Sequence, residues 1–265
     1  GINSIPTFFI TIVRDMRYFI EFSYNGKNYH GWQLQPKAIT VQGVLQNALT
    51  TILREEISVI GAGRTDSGVH ALQMFAHFDT ERELSDDLVR KLNAFLPYDI
   101  AVHSICAVKP DAHARFDALK RTYQYHISIE KSPFRYDYSM PLTLPLNVDV
   151  MNEAAQILFD YTDFQCFSKT HTDVKTFNCK IYEAHWAVVE GELVFTITAD
   201  RFLRNMVRAI VGTLINVGLQ KLSLTGFEDI IISKSRSKAG ASVPACGLFL
   251  TQVIYPEEIF LQKSN

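Results

Sequence analysis

The chain has 265 residues, of which 47% are hydrophobic and 20% are charged. This composition excludes an intrinsically disordered protein and is sufficient for one large domain or two fused halves. The formal net charge of −2 is not typical of a basic nucleic-acid-binding protein, so contact with a nucleic acid would require local clustering of lysine and arginine.

The cysteine and histidine patterns indicate the redox environment of the protein and whether it carries a metal site. The four cysteines are Cys106, Cys166, Cys179 and Cys246. No two of them form a Cys-x-x-Cys pair, and the eight histidines show no ligand spacing, so we expect neither a metal site nor a disulfide framework. The apolar segment 206–219 contains Arg208 and is not typical of a membrane span. We therefore expect a cytoplasmic protein without a membrane contact.

Strand and helix patterns alternate along the first part of the chain. The run 17–24 is rich in aromatic and β-branched residues, which favours a strand. Residues 41–54 carry apolar side chains at the spacing of a buried helical stripe. In chain order, the predicted elements are a loose leader over 1–16, a strand over 17–24, a helix over 41–54 capped by Thr40, a short strand near Val59, a strand over 74–78, a helix from a Ser85 cap to Leu96, and strands over 100–108 and 121–130.

A segment with three prolines, residues 131–147, is predicted to cross between two halves. The predicted elements that follow are a helix from an Asp149 cap to about Asp160, a hairpin of 181–189 and 193–199, a helix over 202–217, a short helix from a Thr225 cap to Ile232, and a strand over 247–255. Each half combines strands with at least two helices. This predicts an α+β fold of two fused halves that share a central mixed, mainly antiparallel sheet with helices packed on it. The predicted division is a leader over 1–16, a first half over 17–145 and a second half over 146–265.

The most informative segment is the glycine-rich run 61–71, Gly-Ala-Gly-Arg-Thr-Asp-Ser-Gly-Val-His-Ala. Its glycines allow a backbone or a ligand to approach closely. Arg64 lies two residues from Asp66, and a nearby positive charge favours an ionised carboxylate. A fixed, ionised carboxylate on a loop can act as a nucleophile. For this run taken alone, the alternative is the commoner one: a structural turn with a local Arg64–Asp66 ion pair.

Two phosphate-binding motifs do not fit this run. A dinucleotide-binding fingerprint requires a third glycine at the position of Asp66, where a carboxylate would repel pyrophosphate. A Walker-type loop requires Gly-Lys followed by serine or threonine, which is absent. A bound nucleotide cofactor is therefore not predicted.

Five ordered blocks resemble the TruA-type tRNA pseudouridine synthases over residues 17–256. They are the run 61–71, the block 24–26 with 31–36 and 40–42, the block 113–116 with 121–125, the block 202–208, and the block 245–250 with 253–256. One departure is Ser67, where the family usually has alanine, and the nearly isosteric serine is not expected to reduce activity. The resemblance implies two ferredoxin-like halves with an active-site cleft between them. It also implies a cofactor-independent homodimer that isomerises uridine to pseudouridine at positions 38, 39 and 40 of the tRNA anticodon stem-loop.

The same resemblance implies roles for individual residues. Asp66 matches the nucleophile, Tyr123 the tyrosine that stacks on the target base, and Arg208 the arginine that pairs with the aspartate across the cleft. Arg64 is expected to help displace the target nucleotide, and Leu248 to line the uracil pocket. The structural alternative for Tyr123 and Leu248 is an ordinary place in the core, because both lie in predicted strands.

Basic residues are concentrated between positions 200 and 238. This region has seven basic and three acidic residues, a local charge of +4, and a basic patch of this kind suits contact with RNA phosphates. The candidates for contact with the RNA backbone are Arg201, Arg204, Lys169 and Lys175. Arg204 and Arg208 are four residues apart and are predicted to share one helix face, for which a solvated basic edge is the alternative.

Two other functions remain open from the sequence. The first is a catalytically idle RNA-binding or tRNA-folding protein on the same scaffold. The second is a nucleoside or glycoside hydrolase that uses Asp66, and it predicts free uracil as a product.

Overall fold

The computed structural model describes residues 16–170 and 174–261. The strands within these ranges are β1 (Met16–Tyr24), β2 (Ile60–Gly61), β3 (His70–Thr80), β4 (Ile100–Ala107), β5 (Lys120–Ser128), β6 (Met140–Pro141), β7 (Ile181–Val189), β8 (Glu192–Ala199) and β9 (Leu248–Ile254). The helices are α1 (Val41–Leu53), α2 (Leu88–Phe95), α3 (Val148–Ile157), α4 (Met206–Gly218) and α5 (Leu224–Ser233). Apart from Met16, which begins β1, the predicted leader lies outside the described residues.

The nine described strands form one mixed sheet in the order β4-β1-β3-β9-β5-β8-β7, with β2 paired to β3 and β6 paired to β5. Most pairs are antiparallel, whereas β3 with β9 and β5 with β6 are parallel. The last strand therefore lies at the centre of the sheet and joins β3 to β5. The predicted α+β fold with a mixed, mainly antiparallel sheet is confirmed.

The described chain buries two hydrophobic clusters. One contains residues of β1, β3 and α1, and the other contains residues of β8, α3 and α4. Strand β9 contributes Leu248 to the second cluster and Leu250 to the first, while Tyr123 contacts both. Strand β5 precedes the predicted boundary at residue 145, yet its Tyr125 and Ile127 belong to the second cluster. The division into two domains stays a prediction.

Local hydrogen bonds decide where the helices begin. The predicted cap of α1 is confirmed, because the Thr40 hydroxyl accepts a hydrogen bond from the Gly43 amide. The caps predicted for three other helices are each wrong by two residues. The residues that precede these helices are Asp87 before α2, Asn147 before α3 and Ser223 before α5, and only the last two cap through their side chains. Several residues of the capping type lie close together at each of these positions, so sequence alone did not single out the right one.

Burial of His77 on β3 predicts a loss of stability in acid. The side chain is 3% exposed, and its Nδ1 accepts a hydrogen bond from the Ala114 amide at 3.1 Å. Burial lowers the pKa of His77 to about 4, and the positive charge of Arg17 adds to this effect. The neutral form is favoured in the fold, while the unfolded chain binds a proton near pH 6.5. Stability from this residue is therefore lost as the pH falls from about 6.5 to about 4, by roughly 3 kcal/mol in total.

Urea denaturation of wild type and His77→Asn at pH 7.5 and pH 4.5 tests this expectation. The asparagine carbonyl can accept the Ala114 amide without titrating. We expect the variant to lose less stability between the two pH values than the wild type. Equal losses in the two proteins would show that His77 does not titrate on unfolding.

Candidate active site

The glycine-rich loop connects β2 to β3 and is held by backbone hydrogen bonds to the segment after β1. The Trp32 amide donates to the Thr65 carbonyl at 3.1 Å, and the Gly68 amide donates to the Tyr29 carbonyl at 3.3 Å. Within the loop, the Val69 amide donates to the Asp66 carbonyl at 3.1 Å. These bonds fix the backbone on both sides of the Asp66 side chain.

Two glycines allow this close approach of backbone to backbone. Gly31 has a φ of 81°, and a Cβ built there would lie 2.5 Å from the Thr65 carbonyl oxygen. Gly68 has a φ of 80°, a conformation that residues with a Cβ rarely adopt. At Gly31, which lies outside the run 61–71, the approaching group is the protein's own loop.

Two buried side chains tie the loop to the sheet. The Tyr24 hydroxyl and the Thr65 hydroxyl form a buried hydrogen bond of 2.8 Å. His70 Nδ1 accepts from the Gly26 amide at 3.0 Å, so Nε2 carries the proton and donates to the Cys246 carbonyl at 3.1 Å. Burial lowers the pKa of His70, which keeps it neutral. These two hydrogen bonds give His70 a structural role, and sequence reasoning missed the Tyr24–Thr65 tether.

The Asp66 carboxylate faces two arginines from the second half of the chain. Its Oδ2 lies 3.5 Å from Arg208 Nη1, and its Oδ1 lies 3.7 Å from Arg204 Nε. Arg208 is oriented by a second bond, because its Nε donates to the Val243 carbonyl at 2.7 Å. The predicted proximity of Asp66 and Arg208 is therefore present. The local ion pair expected between Arg64 and Asp66 is not among those formed in the described chain.

Arg204 lies before helix α4, and its side chain contacts the Asp66 carboxylate. The prediction that a helix spans 202–217 is wrong at its start, because α4 begins at Met206 and Asn205 has a φ of 67°. The Asn205 side chain donates to the Ser242 hydroxyl instead of capping the helix, and asparagine tolerates this left-handed conformation better than most residues. Arg204 and Arg208 thus do not share a helix face, and they converge on Asp66 from different backbone positions.

Three other residues are predicted to contact the target nucleotide: Arg64, Tyr123 and Leu248. The first is exposed, and the other two are partly or fully buried. Tyr123 is partly buried, with its ring edge-on to Phe202 at 5.1 Å between centroids. Burial raises the pKa of Tyr123 to about 12, and the Asp66 charge contributes to this increase, so the phenol stays protonated near the carboxylate. Leu248 is buried in the second hydrophobic cluster, the place of an ordinary core residue.

A cavity of about 650 Å³ opens at Asp66, a volume within the range of pockets that hold small ligands. Its described lining residues are Asp66, Ser67, Lys169, Thr170, Arg204, Asn205, Arg208 and Arg236. Four of these residues are basic and one is acidic. Because positive charge exceeds negative charge in this cavity, it is suited to an anionic ligand. The reacting group of that ligand would lie next to the Asp66 carboxylate.

The candidates for RNA-backbone contact occupy different places. Lys169 and Arg204 line the cavity, and the Lys169 amide donates to the Arg204 carbonyl at 3.0 Å. Lys175 is exposed, and the Arg201 guanidinium donates to the Thr176 carbonyl. Part of the predicted contact segment 169–180, namely 171–173, lies outside the described residues. Sequence reasoning counted Arg236 only as part of the basic region and did not place it at the site.

Three further features bear on cofactors, membranes and redox chemistry. In the ranges that the structure describes, no group of three or more histidine, cysteine or acidic side chains is arranged to hold a metal ion. No helix in those ranges has the length and apolar character needed to cross a membrane. The four cysteines are free thiols, which fits the absence of paired cysteines in the sequence.

Comparison with known proteins gives a consistent family match. The family model described as tRNA pseudouridine synthase matches residues 21–117 and 154–256. A protein of Parabacteroides distasonis named tRNA pseudouridine synthase A is 55% identical over 247 residues, which cover 92% of this chain and 98% of that protein. A protein of Bacteroides fragilis with the same name is 57% identical over the same shares of both chains.

More distant relatives carry the same name. The tRNA pseudouridine synthase A of a Thermoanaerobacter species is 40% identical over 239 residues, which cover 89% of this chain and 98% of that protein. The family model extends across the loop and α4, which place Asp66 and Arg208 at the cavity, and across β9. The chain belongs to the tRNA pseudouridine synthase family and is an isomerase.

Proposed function

We propose that this protein isomerises uridine to pseudouridine in the anticodon stem-loop of tRNA, at positions 38, 39 and 40, with Asp66 as the nucleophile. The observation that carries this proposal is the Asp66 carboxylate at the mouth of a basic cavity, within 3.7 Å of two guanidinium groups. The names of the relatives support tRNA as the substrate.

The chemistry of the isomerisation suits a single carboxylate. The bond between the ribose C1′ and N1 of uracil breaks, the base turns, and a bond forms between C1′ and C5. N1 gains a proton and C5 loses one, so the atoms balance without a cofactor. Since the base stays in the pocket, no acid is needed to release a leaving group, unlike in glycoside hydrolases with paired carboxylates. Attack by Asp66 on C1′ or on C6 of the base leads to the same overall change.

Three further residues would hold the extruded nucleotide. Extruding a base from an RNA stack costs a few kcal/mol, and the exposed Arg64 would fill the vacated place. Tyr123 would stack on the uracil ring, a contact that contributes roughly 1–3 kcal/mol. Leu248 would form an apolar wall of the pocket. The arrangement keeps the Asp66 carboxylate open to the cavity. Nothing in it therefore favours the alternative of a catalytically idle RNA-binding protein.

The wider RNA contact is proposed on charge. Arg204 and Lys169 at the cavity, with Arg201 and Lys175 beyond it, would contact phosphates of the tRNA backbone. We also propose that the protein acts as a cytoplasmic homodimer in which both subunits contact one tRNA. The salt dependence of tRNA binding would report on the phosphate contacts.

Mapping of pseudouridine in an unmodified tRNA transcript tests the proposed function. We expect pseudouridine at positions 38, 39 and 40 wherever the transcript has uridine, no product in a transcript with cytidine at all three positions, and no free uracil by chromatography. Pseudouridine confined to other positions would contradict the assigned stem-loop. Free uracil would indicate a hydrolase, and tight binding without a product would indicate an idle RNA-binding protein.

A further inference from the structure

Arg236 is a basic residue of the cavity that the reaction scheme above does not use. It begins the short 3₁₀ turn Arg236–Lys238 after α5, and its partly buried side chain lines the same cavity as Asp66. Its Nη1 donates to the Gly240 carbonyl at 3.0 Å, and its Nη2 donates to the Ser242 hydroxyl at 2.9 Å. These two bonds hold the guanidinium in a fixed position at the cavity wall.

The charge of Arg236 is not balanced by a nearby acid in the part of the chain that the structure describes. Among the described residues, its guanidinium has no carboxylate within 4.0 Å, while the acid of the cavity lies beside Arg204 and Arg208. A guanidinium carries five N–H donors, and two hydrogen bonds leave several of them for a ligand. A fixed guanidinium with unused donors is well suited to a phosphate, which it can contact through two parallel bonds.

We propose that Arg236 binds a backbone phosphate of the RNA next to the extruded uridine. This inference rests on the proposed function, which places the uridine at Asp66. A nucleotide inside an RNA strand carries a phosphate on each side of its ribose, and these phosphates are the anions that must enter or border the cavity with it. Arg236 is thus assigned as a substrate-binding residue that fixes the target nucleotide by its backbone.

The contact makes a specific kinetic prediction. A backbone phosphate keeps its charge throughout the isomerisation, so Arg236 would bind substrate and transition state equally well. Such uniform binding lowers KM and leaves kcat unchanged. Arg208, which contacts the carboxylate itself, should instead affect kcat.

The test compares Arg236→Gln with wild type, and uses Arg90→Gln on the exposed face of α2 as a matched control. Binding is measured by fluorescence anisotropy with an anticodon stem-loop RNA between 50 and 200 mM salt, and turnover by pseudouridine formation. We expect Arg236→Gln to weaken binding about tenfold, to reduce the salt slope by about one, and to keep kcat within twofold. Arg90→Gln should change affinity less than twofold.

Replacing one backbone phosphate by an uncharged methylphosphonate identifies the phosphate that Arg236 contacts. Stem-loops with one methylphosphonate, either 5′ or 3′ of the target uridine, form a double-mutant cycle with the protein variants. At one of the two positions, the neutral group should weaken binding to wild type about tenfold and binding to Arg236→Gln not at all. Equal losses in both proteins at both positions would overturn the proposal.

A purely structural role for Arg236 would change kcat and affinity differently from a phosphate contact. Arg236 holds Gly240 and Ser242 near the Val243 carbonyl that orients Arg208, so a purely structural role would lower kcat with affinity unchanged, and this result would overturn the proposal. Arg236→Lys keeps the charge and should keep the wild-type salt slope, and it serves as the deciding variant if Arg236→Gln melts below the assay temperature. A lysine variant with the reduced slope would also overturn the proposal. If wild type binds the stem-loop without forming pseudouridine, the proposed function fails while the binding cycle still decides the phosphate contact.

Discussion

Asp66→Asn should abolish pseudouridine formation while tRNA binding stays within a few-fold of wild type. The amide has nearly the shape of the carboxylate but is a far weaker nucleophile, so the loss should be at least on the order of four decades in kcat. Binding should survive because four basic residues still line the cavity and the substitution removes a negative charge from it. Single-turnover formation of pseudouridine and a separate binding assay measure the two effects.

The matched control is Asp86→Asn, which makes the same change at an exposed position before α2. This variant should have the wild-type rate. Turnover by Asp66→Asn within tenfold of wild type would remove Asp66 from the mechanism. A large loss of tRNA affinity would show instead that the carboxylate serves binding.

Arg208→Ala should lower kcat by roughly two to three decades, similar to the loss of one preorganised electrostatic group in other active sites. The Arg208 side chain is 21% exposed and the Asp66 side chain 28% exposed. The substitution therefore leaves the Asp66 carboxylate partly desolvated and without this cationic partner. The Val243 carbonyl also loses a donor, at a cost of about 1 kcal/mol in stability. The fold should therefore persist, as thermal denaturation would show.

Arg204→Ala provides the comparison for this prediction. Its side chain is 60% exposed and its Nε lies 3.7 Å from the carboxylate, and an exposed ion pair contributes little. We therefore expect a loss of kcat of at most about tenfold, well below that of Arg208→Ala. A wild-type rate for Arg208→Ala, or a larger effect of Arg204→Ala, would contradict the arrangement of the two guanidinium groups around Asp66.

Some elements were predicted to within one residue, whereas the start of β3, predicted at 74 and found at 70, and the start of α4 were not, for physical reasons. Strand β1 and the hairpin of β7 and β8 lie within one residue of their predicted bounds, because alternating side chains and a Glu190-Gly191 turn are local signals. The start of α4 depends on the hydrogen bond between Asn205 and Ser242, two residues far apart in sequence. No periodicity reports such a contact.

The same distinction holds for the site. The glycine-rich loop and the family resemblance single out Asp66, Tyr123 and Arg208 from the sequence alone. Nearness in sequence suggested the wrong partner for Asp66, because the arginines that contact it come from the segment before and within α4. The place of Arg236 at the cavity likewise depends on how the chain after α5 folds back, and sequence spacing does not encode this.

The structure of Asp66→Asn bound to an anticodon stem-loop would show whether position 66 meets the target uridine. We predict an extruded uridine in the basic cavity, with its sugar or base within roughly 3.5 Å of the side chain at position 66, its ring on Tyr123 and a neighbouring phosphate at Arg236. A uridine that remains stacked in the RNA, or that binds on a surface away from this cavity, would rule out Asp66 as the nucleophile.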